Sequence, residues 1–143
     1  MEAGHPINTP DEPIEQLYFP YDSVTSTVQE MSDGSTIETG LMGIEGLAGV
    51  QVWLRQRTTL AKTFVQVPGT AHRIRTNDFI REIRDRPSSL NDLIAAYVHG
   101  FLVLTSLTAA CNRPHSVDQR LCRWLRMTYN RAGELSSLCD TSF

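Results

Sequence analysis

Between Asp92 and Arg113 the chain has no charged side chain apart from a titratable His99, and Leu93, Ile94, Tyr97, Val98, Phe101, Leu102, Leu104 and Leu107 recur at helical spacing. A helix so apolar must be covered on more than one side. The run is long enough to cross a bilayer. Against a span stand His99, Gly100, Thr105, Ser106, Thr108 and Asn112, and the lack of a lysine or tryptophan belt at its start. We therefore expect no membrane, and a helix over residues 91–113 that packs on its own domain with one face and on a twin subunit with the other. The expected dimer contacts are Leu93, Tyr97, Val98, Phe101, Leu104 and Leu107.

Upstream the period changes. Residues 1–16 are polar and contain Pro6, Pro10 and Pro13, which reads as a loosely attached lead-in. Residues 17–90 read as a β-roll domain with one short helix. Val24, Ser26 and Val28 alternate with Thr25, Thr27 and Gln29, and Asp33-Gly34 separates them from a second extended run, Thr36 to Thr39. Asp-Gly in that position signals a hairpin, because glycine accepts the positive φ of a tight turn. A second hairpin is expected around Pro68-Gly69. Between the two lies a loop with glycines at 40, 43, 46 and 49. Repeated hairpins without intervening helices predict an antiparallel roll or jelly roll rather than a parallel sheet. Thr76 or Asn77 then caps a helix with Phe79, Ile80 and Ile83 at helical spacing, which Pro87 ends.

Downstream of the apolar helix, residues 114–131 form a short amphipathic helix. Val117, Leu121, Trp124, Leu125 and Thr128 share one face, with Arg120, Arg123 and Arg126 on the flank and far side. Residues 132–143 read as an irregular tail. The fold class is therefore α+β: a roll, a long helix and a short amphipathic one.

The net charge of −3 and a pI near 5.8 argue against a surface that binds nucleic acid throughout. Any such contact is local, and Arg113, Arg120, Arg123 and Arg126 are the residues placed to touch a DNA backbone. Cys111, Cys122 and Cys139 form no zinc-like spacing, and an odd count fits a reducing, cytoplasmic compartment. The opening residues have no basic start and no apolar core, so no secretory signal is expected. His5, His72, His99 and His115 are scattered, and no nucleophile elbow or Walker sequence occurs. We expect no enzyme, no metal and no cofactor.

The string from Thr108 to Met127, TAACNRPHSVDQRLCRWLRM, resembles the hinge between sensor and DNA-binding domain in one branch of the Crp/Fnr family of bacterial transcription regulators. The resemblance extends over about Glu12 to Arg131. Glu12 to Pro20 is similar to the family's early strand and turn, Met31 to Gly43 to its hairpin, and Gln66-Val67-Pro68-Gly69 to the strand pair before its helices. It implies a cyclic-nucleotide-binding-like roll, a dimerisation helix and the first helix of a winged helix-turn-helix. Since only residues 132–143 follow, the expectation is a shortened regulator without autonomous sequence-specific DNA binding, pairing with itself or with a full-length relative.

Members that bind cyclic nucleotides use a Gly-Glu pair at the ribose and a later Arg-Ser or Arg-Thr, followed by Ala, at the phosphate. Here the order is Gly43-Ile44-Glu45-Gly46, and Arg57-Thr58-Thr59 is the nearest candidate for the second part. Counted back from Pro68-Gly69, Thr59 rather than Arg57 falls near the arginine position. Weak or absent cyclic AMP binding is the expectation, with Glu45, Gly46, Arg57 and Thr58 as candidate contacts to an unknown effector. The alternative reading is a stand-alone small-ligand module of cupin-like or cyclic-nucleotide type.

Overall fold

A computed structural model of the chain describes residues 1–85, 89–111 and 114–132. Among these residues six strands precede three helices: β1 (Pro6–Asn8), β2 (Gln16–Pro20), β3 (Val24–Glu30), β4 (Thr36–Met42), β5 (Lys62–Val67), β6 (Ala71–Arg75), then α1 (Thr76–Asp85), α2 (Ser89–Cys111) and α3 (Val117–Arg131). A 3-10 turn, Val50–Val52, lies between β4 and β5. The strands form a four-stranded sheet in the order β1-β5-β3-β4 and a two-stranded sheet of β2 and β6. A bridge between Tyr18 and Ala48 ties the chain after β4 to the smaller sheet. All the strand pairs are antiparallel.

Asp33-Gly34 makes the β3–β4 turn, with Gly34 at φ 80°. The Asp33 carboxylate accepts hydrogen bonds from the Ser35 amide at 2.9 Å and the Ser35 hydroxyl at 2.6 Å. Those two donors hold the Asp33 carboxyl below the usual carboxylate range.

Two sequence expectations are corrected. The lead-in is part of the fold: β1 pairs with β5, Asn8 is buried, and Ile14 is a core residue beside Leu17. Pro6 fits this strand because β1 lies at the edge of its sheet. Pro68-Gly69 is a crossing between sheets and not a hairpin, since β5 pairs with β1 and β3 while β6 pairs with β2. Gly69 is needed for close approach rather than for φ: a Cβ there would lie 2.9 Å from the Asp22 backbone. Asp22 receives the Thr70 amide and, at 2.7 Å, the Thr70 hydroxyl, which lower its pKa.

The main core gathers Ile14, Leu17, Leu47, Val52, Phe79 and Ile94, so the small sheet, the 3-10 turn, α1 and the start of α2 share one interior. A second cluster joins Val24, Leu41 and Ala132, with Trp124 and Met127 of α3 packed against it. The first half of β3 is buried along both of its faces, Val24 through Thr27. Period-2 alternation is therefore lost there, because α3 covers one face and the roll interior takes the other.

α2 is long and apolar enough to cross a bilayer by length and composition, yet one face lies on the roll. Ile94 is buried, and Tyr97 and Val98 pack on the main core. Phe101 rests on Gly40 of β4, where an added Cβ would sit 2.5 Å from the ring. The opposite side stays exposed, with Leu93 66%, Val103 46% and Leu107 54% accessible. Pro87, Arg113 and residues 133–143 lie outside the described residues, and so do the expectations that rest on them.

Candidate functional site

The strands and α2 enclose a cavity of about 220 Å³ whose polar lining is Thr27, Thr39, Thr63, Thr105 and Gln51. Its apolar walls include Met42, Leu47, Val50 and Phe101. Thr27 and Thr63 sit opposite each other on β3 and β5, and their hydroxyls meet at 3.0 Å. Thr39 donates to the Thr27 carbonyl at 3.2 Å, and Thr105 donates to the Phe101 carbonyl within its own helix at 2.9 Å. Each hydroxyl still has acceptor capacity for a guest. The Gln51 side-chain oxygen is buried and has no partner among the described residues. A buried carbonyl oxygen is costly to leave unpaired, so the site favours a guest or water that donates a hydrogen bond.

No ionisable side chain among the described residues lines this cavity. A phosphate placed there would have no guanidinium to pair with, and burying an unpaired anion is expensive. The chemistry is that of a small, uncharged, hydrogen-bonding guest. Its volume is below the ~300–1,000 Å³ usual for sites of drug-sized ligands.

The four residues singled out from sequence are not brought together. Glu45 and Gly46 belong to the turn after β4, in which the Gly46 amide donates to the Gly43 carbonyl at 2.9 Å. Glu45 is paired with Arg131 of α3 at 2.6 Å, so its partner is a side chain of the same chain. Arg57 and Thr58 are exposed on the loop before β5, where Arg57 donates to Asn77 of α1 at 3.2 Å. Glu45 lines one cavity with Tyr97, Leu104 and Arg131, and Arg57 lines another beside α1. The Gly-Glu and Arg-Thr resemblance therefore does not assemble a nucleotide cassette. A ladder of strand threonines was the available sequence signal. It was missed because Thr25 and Thr27 enter the sequence pattern only as the alternate positions of an extended run, and alternation does not say which face is covered.

α3 is fastened to the sheet by polar anchors. Ser116 caps it in a reciprocal pair with Gln119. Trp124 donates its indole N–H to Glu38 at 3.1 Å, and Ser26 donates to the same carboxylate oxygen at 2.7 Å. Arg123 reaches Thr108 of α2 at 2.8 Å. The packed face is Trp124, Met127, Thr128 and Arg131, which corrects the sequence reading: Val117, Leu121 and Leu125 are each more than half exposed. Both stripes satisfy helical spacing, and the sheet contacts select between them. Arg120 and Arg126 are exposed, while Arg123 is half-buried.

Of the six expected dimer contacts, Tyr97 and Phe101 face inward and meet each other with ring centroids 6.1 Å apart. Val98 packs on the core and Leu104 is half-buried beside Leu41 and Arg131. Leu93 and Leu107 are outward. The Tyr97 hydroxyl is buried and makes no well-formed hydrogen bond among the described residues; burial pushes its pKa up to about 12, and the nearby Leu47 amide acts weakly in the opposite sense. The exposed residues Leu93, Ala96, Gly100, Val103, Leu107 and Ala110 are spaced three and four apart, a heptad seam that the sequence reading did not separate from the inward face.

No family model and no curated protein matches the sequence. Solved structures do match the fold. The c-di-GMP responsive global regulator CLP of Xanthomonas campestris aligns at TM-score 0.68 and 16% identity, over 88% of this chain and 63% of that one. A CRP-family transcriptional regulator of Thermus thermophilus aligns at TM-score 0.75 and 12% identity, over 92% and 64%. FixK2 of Bradyrhizobium japonicum aligns at 0.74 and 12%, over 91% and 64%. The chain thus spans just under two thirds of the length of these solved chains. Its fold, an antiparallel roll followed by a long helix and a shorter one, is the cyclic-nucleotide-binding-like fold of Crp/Fnr transcription regulators.

Proposed function

We propose that this chain is the sensor and dimerisation portion of a Crp/Fnr-like regulator, cytoplasmic and non-catalytic, which pairs through the outer seam of α2 with a second copy or a longer relative. The observation that carries the reading is that one helix serves both sides. Phe101 and Thr105 line the threonine cavity, while Leu93, Gly100, Val103 and Leu107 form the exposed seam. A guest that shifts α2 from within would therefore alter how two seams meet.

Within this reading the effector is small and uncharged, since the cavity offers hydroxyls and a carboxamide but no cation. Cyclic AMP is a poor fit for the same reason. The basic residues of α3 support at most phosphate contacts, because Arg120 and Arg126 are exposed while Arg123 is held on Thr108. Phosphate contacts position a protein without reading sequence. Any binding of this chain to duplex DNA is then salt-sensitive and without preference between a palindromic operator and random sequence.

The test is sedimentation equilibrium combined with a thermal-shift screen of small neutral compounds and cyclic AMP. A dimer at micromolar concentration, and a neutral compound whose stabilisation grows with its concentration and is lost in Thr63→Val, are the expected results. A monomer, or a cyclic AMP complex of micromolar affinity, would overturn the reading.

A further inference from the structure

A second hollow lies outside the roll, between the 3-10 turn and α1, with a volume of about 820 Å³. That falls within the ~300–1,000 Å³ range of small-molecule sites. Its apolar lining comes from Val52, Trp53, Phe79, Ile80 and Ile83. Asn91 of α2 spans it, accepting the Trp53 indole N–H at 3.0 Å and donating to the Ile83 carbonyl at 3.5 Å, so three segments are tied around one concave surface.

The charged part of the lining is one-signed. Among the described residues Arg55 and Arg57 contribute to it and no carboxylate does. On α1, Asp78 is already paired with Arg81 at 2.8 Å. Arg57 is steered by Asn77, which leaves its cationic charge uncompensated. The Arg55 side chain has no partner among the described residues, while its amide donates to the Val52 carbonyl and its backbone is left-handed, at φ 66°. Glycine takes that conformation freely and arginine does not, so an arginine here supplies what glycine cannot: an exposed cation beside an apolar floor.

We propose that this groove binds an amphipathic carboxylate, an apolar chain along Trp53, Phe79 and Ile83 with its anionic head held by Arg55 and Arg57. The site is separate from the threonine cavity, which has no ionisable lining among the described residues and suits a different chemical class.

The two tryptophans provide the test, Trp53 in the groove and Trp124 held by Glu38 on α3. The ¹⁵N-labelled chain is titrated with decanoate, decanol and decyltrimethylammonium while the two indole N–H resonances are followed. Decanoate is expected to move the Trp53 resonance saturably and leave that of Trp124 in place. Decanol and the ammonium probe are expected to bind at least about tenfold more weakly, roughly 1.4 kcal/mol. Arg55→Gly is expected to weaken decanoate by about tenfold or more while its thermal midpoint equals or exceeds that of the parent, because the backbone relaxes. Arg57→Gln loses less, its guanidinium being shared with Asn77. Equal binding of decanol and decanoate, full affinity in Arg55→Gly, a lowered midpoint in that variant, or movement of both indoles or neither would each overturn the proposal.

Discussion

The two sides of α2 are almost equally apolar, and in the dimer proposed above they have opposite roles. Inward, Ile94, Tyr97, Val98 and Phe101 are large residues seated on the core and on Gly40. Outward, Leu93, Ala96, Gly100, Val103, Leu107 and Ala110 mix large residues with small ones along an exposed stripe spaced three and four apart. The roll interior is wide and irregular, so it takes aromatic rings. A neighbouring helix is narrow and regular, so it takes leucines into holes made by small residues. The comparison teaches that side-chain size, more than hydrophobicity, separates the two sides of such a helix.

Gly100 states the contrast most sharply. A Cβ there would meet nothing within 4 Å in its own chain. Mid-helix glycine costs about 0.5–1 kcal/mol relative to alanine. Its own subunit gives no packing reason for it, whereas the proposed dimer, with a second helix in close approach, would.

The most disruptive way to break the comparison is Phe101→Asp. It places an unpaired carboxylate between Gly40 and Tyr97 and should cost about 4 kcal/mol or more, losing the fold in a urea titration. A folded protein that merely dissociates would invert the assignment of the two faces. Val103→Asp is the counterpart on the outside. Sedimentation should show dimerisation weakened about a hundredfold, ~2.7 kcal/mol, with the circular dichroism of the monomer preserved.

Smaller effects sharpen the distinction. Gly100→Ala should stabilise the isolated subunit by about 0.5–1 kcal/mol and weaken its association, two changes of opposite sign that urea melts at low and high protein concentration will separate. If both moved the same way, Gly100 would have no role in the seam. Tyr97→Phe should leave stability at pH 7 within about 1 kcal/mol of the parent, since the hydroxyl it removes makes no well-formed hydrogen bond among the described residues. The alkaline arm carries the information. The folded phenol is raised from 10.0 to about 12, so between those values the native state holds the proton more tightly than the unfolded chain. Stability should be level below pH 10 and fall as pH rises towards 12, and this decline should be missing in Tyr97→Phe.

Much of the element order was legible before any coordinates. Gly34 announces its hairpin because positive φ is a local property of one residue. The spacing of Phe79, Ile80 and Ile83 and the uncharged run after Asp92 announce α1 and α2 in the same local way. The candidate sites were legible only in fragments. Arg57 was noticed for a phosphate cassette and lies instead beside an apolar groove, while Glu45 was assigned to a ligand and is paired with Arg131. Nothing local distinguishes a threonine that lines a cavity from one that faces water, so Thr27, Thr39 and Thr63 passed unnoticed.

What the sequence determined by itself is the set of properties that depend on near neighbours along the chain: the β-then-α order, the Asp33-Gly34 turn, and the excess of apolar surface on the long helix. What only the tertiary structure decided depends on residues far apart in sequence meeting. It recruits Pro6–Asn8 as an edge strand of the roll, sends Pro68-Gly69 between two sheets, and chooses Trp124 and Thr128 over Val117 and Leu121 as the buried stripe of α3. Helical period allows more than one apolar stripe, and strand alternation does not say whether one face or both will be covered. Those choices are settled by which surfaces the closed roll leaves available, a property of no single segment.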